Sequence, residues 1–231
     1  MSNFKNWKAN AIKKLDQALD RSRAGGVDKP VRHLVDLINE QENLYTTSSC
    51  SGRIIIFSNN DTNAPGKGHC TWHLSSHEII SYQELLDTIV RMNGSESDYS
   101  KNKFRNQEFS IKFEPCIFHV MVENLDLARI FMETARSAGF RNSGITMGMP
   151  AQPTAQSNEN GKRPKNKNKP TKINVALRHT LGLEVPIKCP QFLLDNEDYL
   201  KFLHGQLNEK MIQNLENIEK LEKALKNILI S

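Results

Sequence analysis

Apolar residues near the start of the chain recur at alternating spacings of three and four, which places them on one face of a helix. Gly25 and Gly26 are suited to end that helix. A second helix follows, with Asp28 placed to cap it and Pro30 in its first turn. The apolar positions are Phe4, Trp7, Ala11, Leu15 and Ala18 in the first helix, and Val31, Leu34, Val35 and Ile38 in the second.

Extended segments follow these helices. Residues 54–57 form a short apolar run, and residues 71–75 are expected to return as its partner strand after a turn-rich loop. Residues 109–113 alternate apolar and polar side chains with period two, and residues 116–122 continue as a further strand. Pro115 separates the two and is expected at an edge or bulge.

Two more helices and two strands are predicted between residues 81 and 186. Ser81 and Glu84 match a capping box before the first of these helices, and Asn124 is placed to cap the second, which Gly139 ends. A short strand is expected around residues 142–146. A further strand begins at Ile173 and is ended by Gly182 and Pro186, with Val175 and Leu177 at its other alternating positions.

A long helix from residue 195 onward carries a continuous apolar stripe that only Asn214 interrupts. The stripe fits docking onto the same domain, and it also fits a coiled coil with a partner, because its spacing resembles a heptad seam with one polar core position. Its members are Leu200, Leu203, Leu207, Met211, Ile218, Leu221, Leu225 and Ile228.

These elements predict a mixed α and β fold in one domain over residues 1–231, with helices packed on a single mixed sheet. No segment gives a dinucleotide fingerprint or a phosphate loop, so a Rossmann fold is not expected. Residues 93–106 form a polar insertion. Residues 149–172 are poor in apolar side chains and are expected to be a mobile insertion.

Composition excludes several classes of protein. Apolar residues make up 38% of the 231, but the longest apolar run is about four, so no membrane span is predicted. The start of the chain lacks the apolar core of a signal peptide, which makes the cytoplasm or nucleus the expected location. The four separated cysteines are expected to be reduced thiols.

The net charge of +5 is concentrated in one segment. Residues 157–172 hold six basic residues against one glutamate, so the rest of the chain is close to neutral. This basic arm would either contact nucleic-acid phosphates or be merely solvated.

Residues 46–53, with the sequence TTSSCSGR, are the most unusual polar run. Five hydroxyl side chains, a thiol, a glycine and an arginine precede a buried strand, and a simple turn needs far fewer such residues. We interpret the run as a binding loop.

Three segments each contain one arginine within a polar or strand-terminal run. These arginines are Arg53, Arg141 and Arg178. A guanidinium grips a carboxylate or phosphate through two hydrogen bonds, so an anion is the natural common target. The alternative is three unrelated surface arginines.

Other side chains allow more than one role. His69, Cys70, His73 and His77 are close in sequence, but their strand spacing does not converge on a metal, and none is expected. Glu114 and His119 offer an acid and a general base, or a structural pair. Trp72 would stack on a base or lie in the core.

Taken together, the motifs resemble the tRNA wybutosine-synthesising protein 3 family. The resemblance covers nearly the whole chain and rests on Asp20 and Ser22 with residues 25–28, TTSSCSGR, Trp72 with Ser76 and His77, residues 113–115 with His119, GFRNSGI at 139–145, ALRHTLGLEVP at 176–186, and residues 199–214. Ala24 departs from the family, which usually carries lysine there.

The resemblance implies an S-adenosylmethionine-dependent methyltransferase that methylates the N-4 position of a 7-aminocarboxypropyl-demethylwyosine precursor in the anticodon loop of phenylalanine tRNA. A non-catalytic tRNA-binding module and a scaffold that acts through the long helix are the competing hypotheses. We expect the separated motifs to enclose one cavity. His77, Glu114 or His119 would handle the proton, and substrate or cofactor would contact Ser48, Ser49, Cys50, Ser51, Arg53, Trp72, Arg141, Asn142, Ser143, Gly144 and Arg178.

Overall fold

The computed structural model describes residues 3–16, 26–59, 70–93, 108–148, 171–189 and 192–230. The chain forms two compact units. Unit 1 comprises Met1–Cys50, Ile117–Arg178 and Leu221–Ser231, and unit 2 comprises Ser51–Cys116 and His179–Lys220. The predicted insertions over 93–106 and 149–172 lie largely outside the described residues, as does Ala24.

The described residues contain five α-helices and nine strands. The helices are α1 (Asn3–Asp16), α2 (Arg32–Glu40), α3 (Tyr82–Asn93), α4 (Leu125–Ser137) and α5 (Glu197–Leu229). The strands are β1 (Leu44–Cys50), β2 (Arg53–Asn59), β3 (Cys70–Ser76), β4 (Glu108–Glu114), β5 (Ile117–Val122), β6 (Gly144–Met147), β7 (Ile173–Arg178), β8 (Leu183–Cys189) and β9 (Phe192–Leu193).

Unit 1 contains a four-stranded antiparallel sheet in the order β1-β5-β7-β6. Helix α4 packs on β5, β6 and β7, while α1 and α2 pack against β1. Phe4 and Tyr45 make a tilted aromatic contact with ring centroids 5.3 Å apart. The predicted apolar face of α1 therefore anchors that helix on the sheet, with Trp7 and Ala11 partly buried beside it.

Unit 2 contains a five-stranded antiparallel sheet in the order β3-β2-β4-β8-β9. Its core joins one face of β2 and β4 to the apolar sides of α3 and α5. Burying these side chains together is the main favourable term in the folding of the unit. The core includes Ile54, Ile56, Leu85, Ile89, Phe109, Ile111, Phe113, Leu200, Leu203, Leu207 and Met211.

The predicted fold class is confirmed in its mixture of helices and strands and in its long C-terminal helix. It differs in the sheet: two antiparallel sheets replace the single mixed sheet. Period-two alternation identifies strands but does not say which strands pair. The chain changes unit between β1 and β2 and again between β4 and β5, so strands that are neighbours in sequence belong to different sheets.

Several local predictions are confirmed. The Ser81 hydroxyl accepts a hydrogen bond from the Glu84 amide at 3.1 Å, and Asn124 Oδ1 accepts from the Leu127 amide at 2.8 Å. Seven of the eight stripe residues of α5 are buried within the chain itself and Ile228 is half-buried, which is the docking alternative, so the stripe does not offer a coiled-coil seam. Within the described residues, no helix is long and apolar enough to cross a membrane.

Three local predictions are corrected. Asp28 precedes a 3-10 turn over Lys29–Val31 and makes no side-chain capping hydrogen bond to it. The segment predicted as a binding loop is mostly the edge strand β1, and only Ser51 and Gly52 lie outside β1 and β2. Pro186 lies inside β8, opposite Ser110. The register between β4 and β8 is irregular beside this pair, and proline, which lacks an N–H donor, is accepted at such a position.

We predict that Asn124→Ala lowers the free energy of unfolding by about 1 kcal/mol, because the first turn of α4 loses its side-chain acceptor. Urea denaturation followed by circular dichroism measures the change. Asn124→Asp restores an acceptor at the same place and should remain close to the wild-type midpoint. Equal midpoints for Asn124→Ala and the wild type would contradict this role.

Candidate functional site

In unit 1, His119 is the centre of a polar cluster on three adjacent strands. Its Nδ1 lies 2.8 Å from the Ser48 hydroxyl on β1, and its Nε2 lies 3.4 Å from a guanidinium nitrogen of Arg178 on β7. Thr47 Oγ1 donates to the His119 carbonyl at 3.1 Å. Antiparallel pairing of β1 and β7 with β5 brings these side chains together.

The contacts define the protonation of His119. A guanidinium can only donate, so the facing Nε2 acts as the acceptor, and Nδ1 then carries the proton that faces Ser48. Burial and the positive charge of Arg178 both lower the pKa of His119. The imidazole is therefore neutral near pH 7, and its lone pair points at the arginine.

The turn after α4 is joined to the same end of β7. Gly139 has φ of +101°, a conformation that favours glycine, and Phe140 is fully buried behind it. The Ser143 hydroxyl donates to the Phe140 carbonyl at 2.6 Å and accepts from the Arg178 amide at 3.2 Å, while the Asn142 amide donates to the Arg178 carbonyl at 3.2 Å. Ser143 is thus a structural bridge between the turn and Arg178.

The other predicted residues of unit 1 differ in exposure. The side chains of Arg141 and Asn142 are exposed, whereas those of Ser49 and Cys50 are half-buried on β1. Gly144 begins β6 opposite Ala176, and a Cβ placed there would meet open space. Gly144 is therefore not required for close packing.

In unit 2, Arg53 lies between an acid and an aromatic ring. Its Nε and Nη2 both lie 2.7 Å from Glu114 Oε2, and its guanidinium carbon lies 4.3 Å from the centre of the Trp72 ring. The other Glu114 oxygen lies 3.5 Å from Lys112 Nζ, which also contacts Glu184 at 3.2 Å. Glu114 is thus the partner of two cations, a role that competes with accepting a proton.

Ser51, Gly52 and His77 form a second group in unit 2. The Gly52 carbonyl lies 2.8 Å from His77 Nδ1, and the fully buried Ser51 hydroxyl lies 3.3 Å from the same nitrogen. The buried side chain of Asn214 on α5 donates to the Ser51 carbonyl at 2.7 Å and accepts from the Cys116 amide at 2.8 Å.

The structure thus assembles predicted residues into three groups, one in unit 1 and two in unit 2, and Ser51 and His77 belong to one of the groups in unit 2. Ser48, His119, Ser143 and Arg178 are connected in unit 1, and Arg53, Trp72 and Glu114 in unit 2. That all of them enclose one cavity stays a prediction. For the histidine-rich stretch, His69 lies outside the described residues, and His73 Nε2 is hydrogen-bonded to the Ser58 hydroxyl at 2.9 Å.

Sequence reasoning missed two contributors, Asn214 and Lys112. Asn214 gave a signal, because it is the only polar break in the apolar stripe of α5, but that break was interpreted as a coiled-coil feature. Lys112 occupies the solvent-side position in the alternation of β4, where a charged residue is ordinary. Only the strand pairing reveals that it lies beside Glu114.

The fold and these polar groups define a non-Rossmann α and β protein in which single arginines and histidines lie among hydroxyl, carboxylate and aromatic side chains. Comparison with known proteins identifies its family. The family model described as Methyltransferase TYW3 matches residues 6–227. The chain belongs to this methyltransferase family, which confirms the resemblance inferred from its motifs.

Individual relatives agree with this assignment. The chain is 32% identical to the tRNA wybutosine-synthesizing protein 3 homolog of Danio rerio and 34% identical to that of Bos taurus, over 98% of this chain and 76% and 74% of those proteins. It is also similar to the solved structure of the PH1069 protein from Pyrococcus horikoshii, with 28% identity, a TM-score of 0.70, and coverage of 96% of this chain and 95% of that one.

We predict that Arg178→Gln raises the pKa of His119, because a positive charge that disfavours the imidazolium is removed. Burial remains, so the pKa should still lie below the ordinary histidine value. NMR titration of the imidazole protons measures the change. Arg141→Gln removes an exposed arginine of the same unit and serves as the control. An unchanged His119 titration in Arg178→Gln would contradict the contact.

Proposed function

We propose that this protein transfers a methyl group from S-adenosylmethionine to the N-4 nitrogen of the 7-aminocarboxypropyl-demethylwyosine base in phenylalanine tRNA. The observation that carries the proposal is the family match over residues 6–227, which spans nearly the whole chain and makes the protein a methyltransferase. The matched relatives are named for tRNA wybutosine synthesis, which supports tRNA as the substrate and the cytoplasm as the place of reaction.

Methyl transfer mainly requires that the methyl donor and the accepting nitrogen are aligned. In methyl transfer, the base nitrogen forms a bond to the methyl carbon while the bond from that carbon to the sulfonium sulfur breaks. S-adenosylmethionine supplies this activated methyl group when bound. The protein has to hold both reactants in line, exclude water, and accept a proton if the nitrogen must lose one.

The arginines differ in their suitability for an incoming anion. Among the described residues, Arg178 contacts the neutral His119 and no carboxylate, and the Arg141 side chain is exposed with no acidic partner. Arg53 is already paired with Glu114. We therefore assign anion binding to Arg178 and Arg141, with the donor carboxylate, the substrate's amino-acid carboxylate and RNA phosphate as candidate anions.

Arg53 has a different proposed task. Its guanidinium covers one face of Trp72 and is fixed by Glu114, so it orients the indole ring. An oriented indole is suited to stacking on adenine or on the tricyclic base. The target base must also leave the anticodon stack, which costs a few kcal/mol.

Proton acceptance is assigned to a histidine. Both carboxylate oxygens of Glu114 contact cations, at 2.7 Å and 3.5 Å, whereas His119 is neutral and the lone pair on its Nε2 has one cation contact, to Arg178 at 3.4 Å. His77 offers a second imidazole in unit 2. Of the three predicted candidates, the two histidines therefore fit a general base better than Glu114 does.

The direct test combines the purified protein, S-adenosylmethionine and phenylalanine tRNA from cells blocked at the preceding modification. Mass spectrometry of the nucleosides should show one added methyl group on the tricyclic base. The same incubation with S-adenosylhomocysteine in place of the donor should show none. Absence of the methylated base with the complete mixture would reject the reaction.

Calorimetry with S-adenosylmethionine alone separates an enzyme from a non-catalytic tRNA-binding module. The enzyme should bind the donor with measurable heat, while a pure RNA binder should give no heat. A chain that binds tRNA but not the donor would favour the binding module.

We predict that Arg178→Gln and Arg141→Gln each lower kcat/KM for methyl transfer by about tenfold or more, because a charge-assisted hydrogen bond contributes roughly 1.5–3 kcal/mol. Steady-state kinetics with donor and tRNA varied in turn measures the loss and assigns it to one ligand. Arg129→Gln is the matched control, since this exposed arginine on α4 forms a local ion pair with Asp126, three residues earlier on the same helix. Full activity in both site variants would overturn the assignment.

A further inference from the structure

Asn214 is a buried polar residue in the otherwise apolar stripe of α5, with only 1% of its surface exposed. Its amide holds two separate stretches of backbone, the Ser51 carbonyl at 2.7 Å and the Cys116 amide at 2.8 Å. One side chain therefore hydrogen-bonds both a buried backbone acceptor and a buried backbone donor. Its position on α5 fixes both stretches at once.

The lack of a side chain at Gly52 allows the Asn214 amide to lie this close to the backbone. Gly52 has φ of +91°, and a Cβ placed there would lie 2.8 Å from Asn214 Nδ2 and 3.0 Å from the Glu114 carbonyl oxygen. Any larger residue would displace the amide or the backbone. Gly52 and Asn214 are thus complementary halves of one packing arrangement.

The carbonyl group of Gly52 faces His77. Asn214 fixes the Ser51 carbonyl before Gly52, and the pairing of Arg53 with Glu114 on β4 fixes the backbone after it. Between these two points, the Gly52 carbonyl is directed at His77 Nδ1, 2.8 Å away. A carbonyl oxygen can only accept, so Nδ1 carries a proton, and in the neutral ring the lone pair lies on Nε2.

We propose that Asn214 is a positioning residue that fixes the Nδ1-protonated tautomer of His77 through the Ser51-Gly52 backbone. Its importance for catalysis rests on the proposed function, in which His77 is one candidate to accept the proton. In that role Nε2 is the nitrogen that takes it. The tautomer itself is a property of the protein alone and is measured without substrate.

The chain contains a matched control. Asn208 lies on the same helix, and both polar atoms of its side-chain amide hydrogen-bond the backbone of Ile80. Its oxygen accepts from the Ile80 amide at 3.0 Å, and its nitrogen donates to the Ile80 carbonyl at 2.8 Å. Its amide nitrogen also lies 3.1 Å from His204 Nε2, so its contacts are with the residue just before α3 and with its own helix. Asn208→Asp therefore makes the same chemical change as Asn214→Asp, removing an amide donor, at another turn.

The experiment records long-range proton to nitrogen-15 NMR correlations of His77 in the full-length protein. The wild type should show Nδ1 protonated and Nε2 unprotonated above the titration range of the ring. Asn214→Asp should show a mixture of tautomers, and Asn208→Asp should remain like the wild type. A wild-type ring protonated on Nε2, or an Asn214→Asp variant with the wild-type tautomer, would overturn the proposal.

A second variant covers the case in which Asn214→Asp does not fold. Asn214→Ser introduces no charge, and its hydroxyl is too short to hold both backbone groups, so it should give the same mixture of tautomers. In methyl-transfer kinetics, kcat should fall at least in proportion to the share of the Nε2-protonated form, with both KM values unchanged. A folded Asn214→Ser protein with the wild-type tautomer would contradict the proposal. A tautomer shift with unchanged kcat would instead remove His77 from the reaction.

Discussion

The hydrogen bonds of Asn214 are the constraint on which the organisation of unit 2 depends most. Ser51 and Cys116 are the first and last residues of the first of the two segments that form this unit, and one buried amide is hydrogen-bonded to both. Leaving either backbone group unpaired in the interior would cost about 1–3 kcal/mol. A polar side chain in an apolar stripe is therefore retained because the backbone that it satisfies cannot reach water.

The sites follow from this constraint and from strand pairing. His119 meets Ser48 and Arg178 because β5 is paired on both sides, by β1 and by β7. Arg53 meets Glu114 because these two residues are directly opposite in the β2 and β4 ladder. Charge then distinguishes the arginines: Arg53 is neutralised by an acid, while Arg178 faces a neutral ring and lowers its pKa together with burial.

Some elements were predictable because their causes are local. The capping residues Ser81 and Asn124, the alternation along β4 and the stripe of α5 are all expressed within a few neighbouring residues, and each has its predicted structure. The polar run from Thr46 to Cys50 was predicted as a loop on composition, but it pairs as β1. Threonine is favourable in strands, and an edge strand leaves hydroxyl side chains in contact with solvent.

The sequence by itself determined the family, the positions of most helices and strands, and the residue types that carry the chemistry, because motifs and periodicity are properties of the chain order. Only the tertiary structure decided which strands share a sheet, which arginine forms an ion pair with an acid, and that Asn214 hydrogen-bonds two separate stretches of backbone. These outcomes depend on contacts between residues up to 163 positions apart. Side-chain periodicity contains no information on such pairings, since the same alternation fits any neighbouring strand.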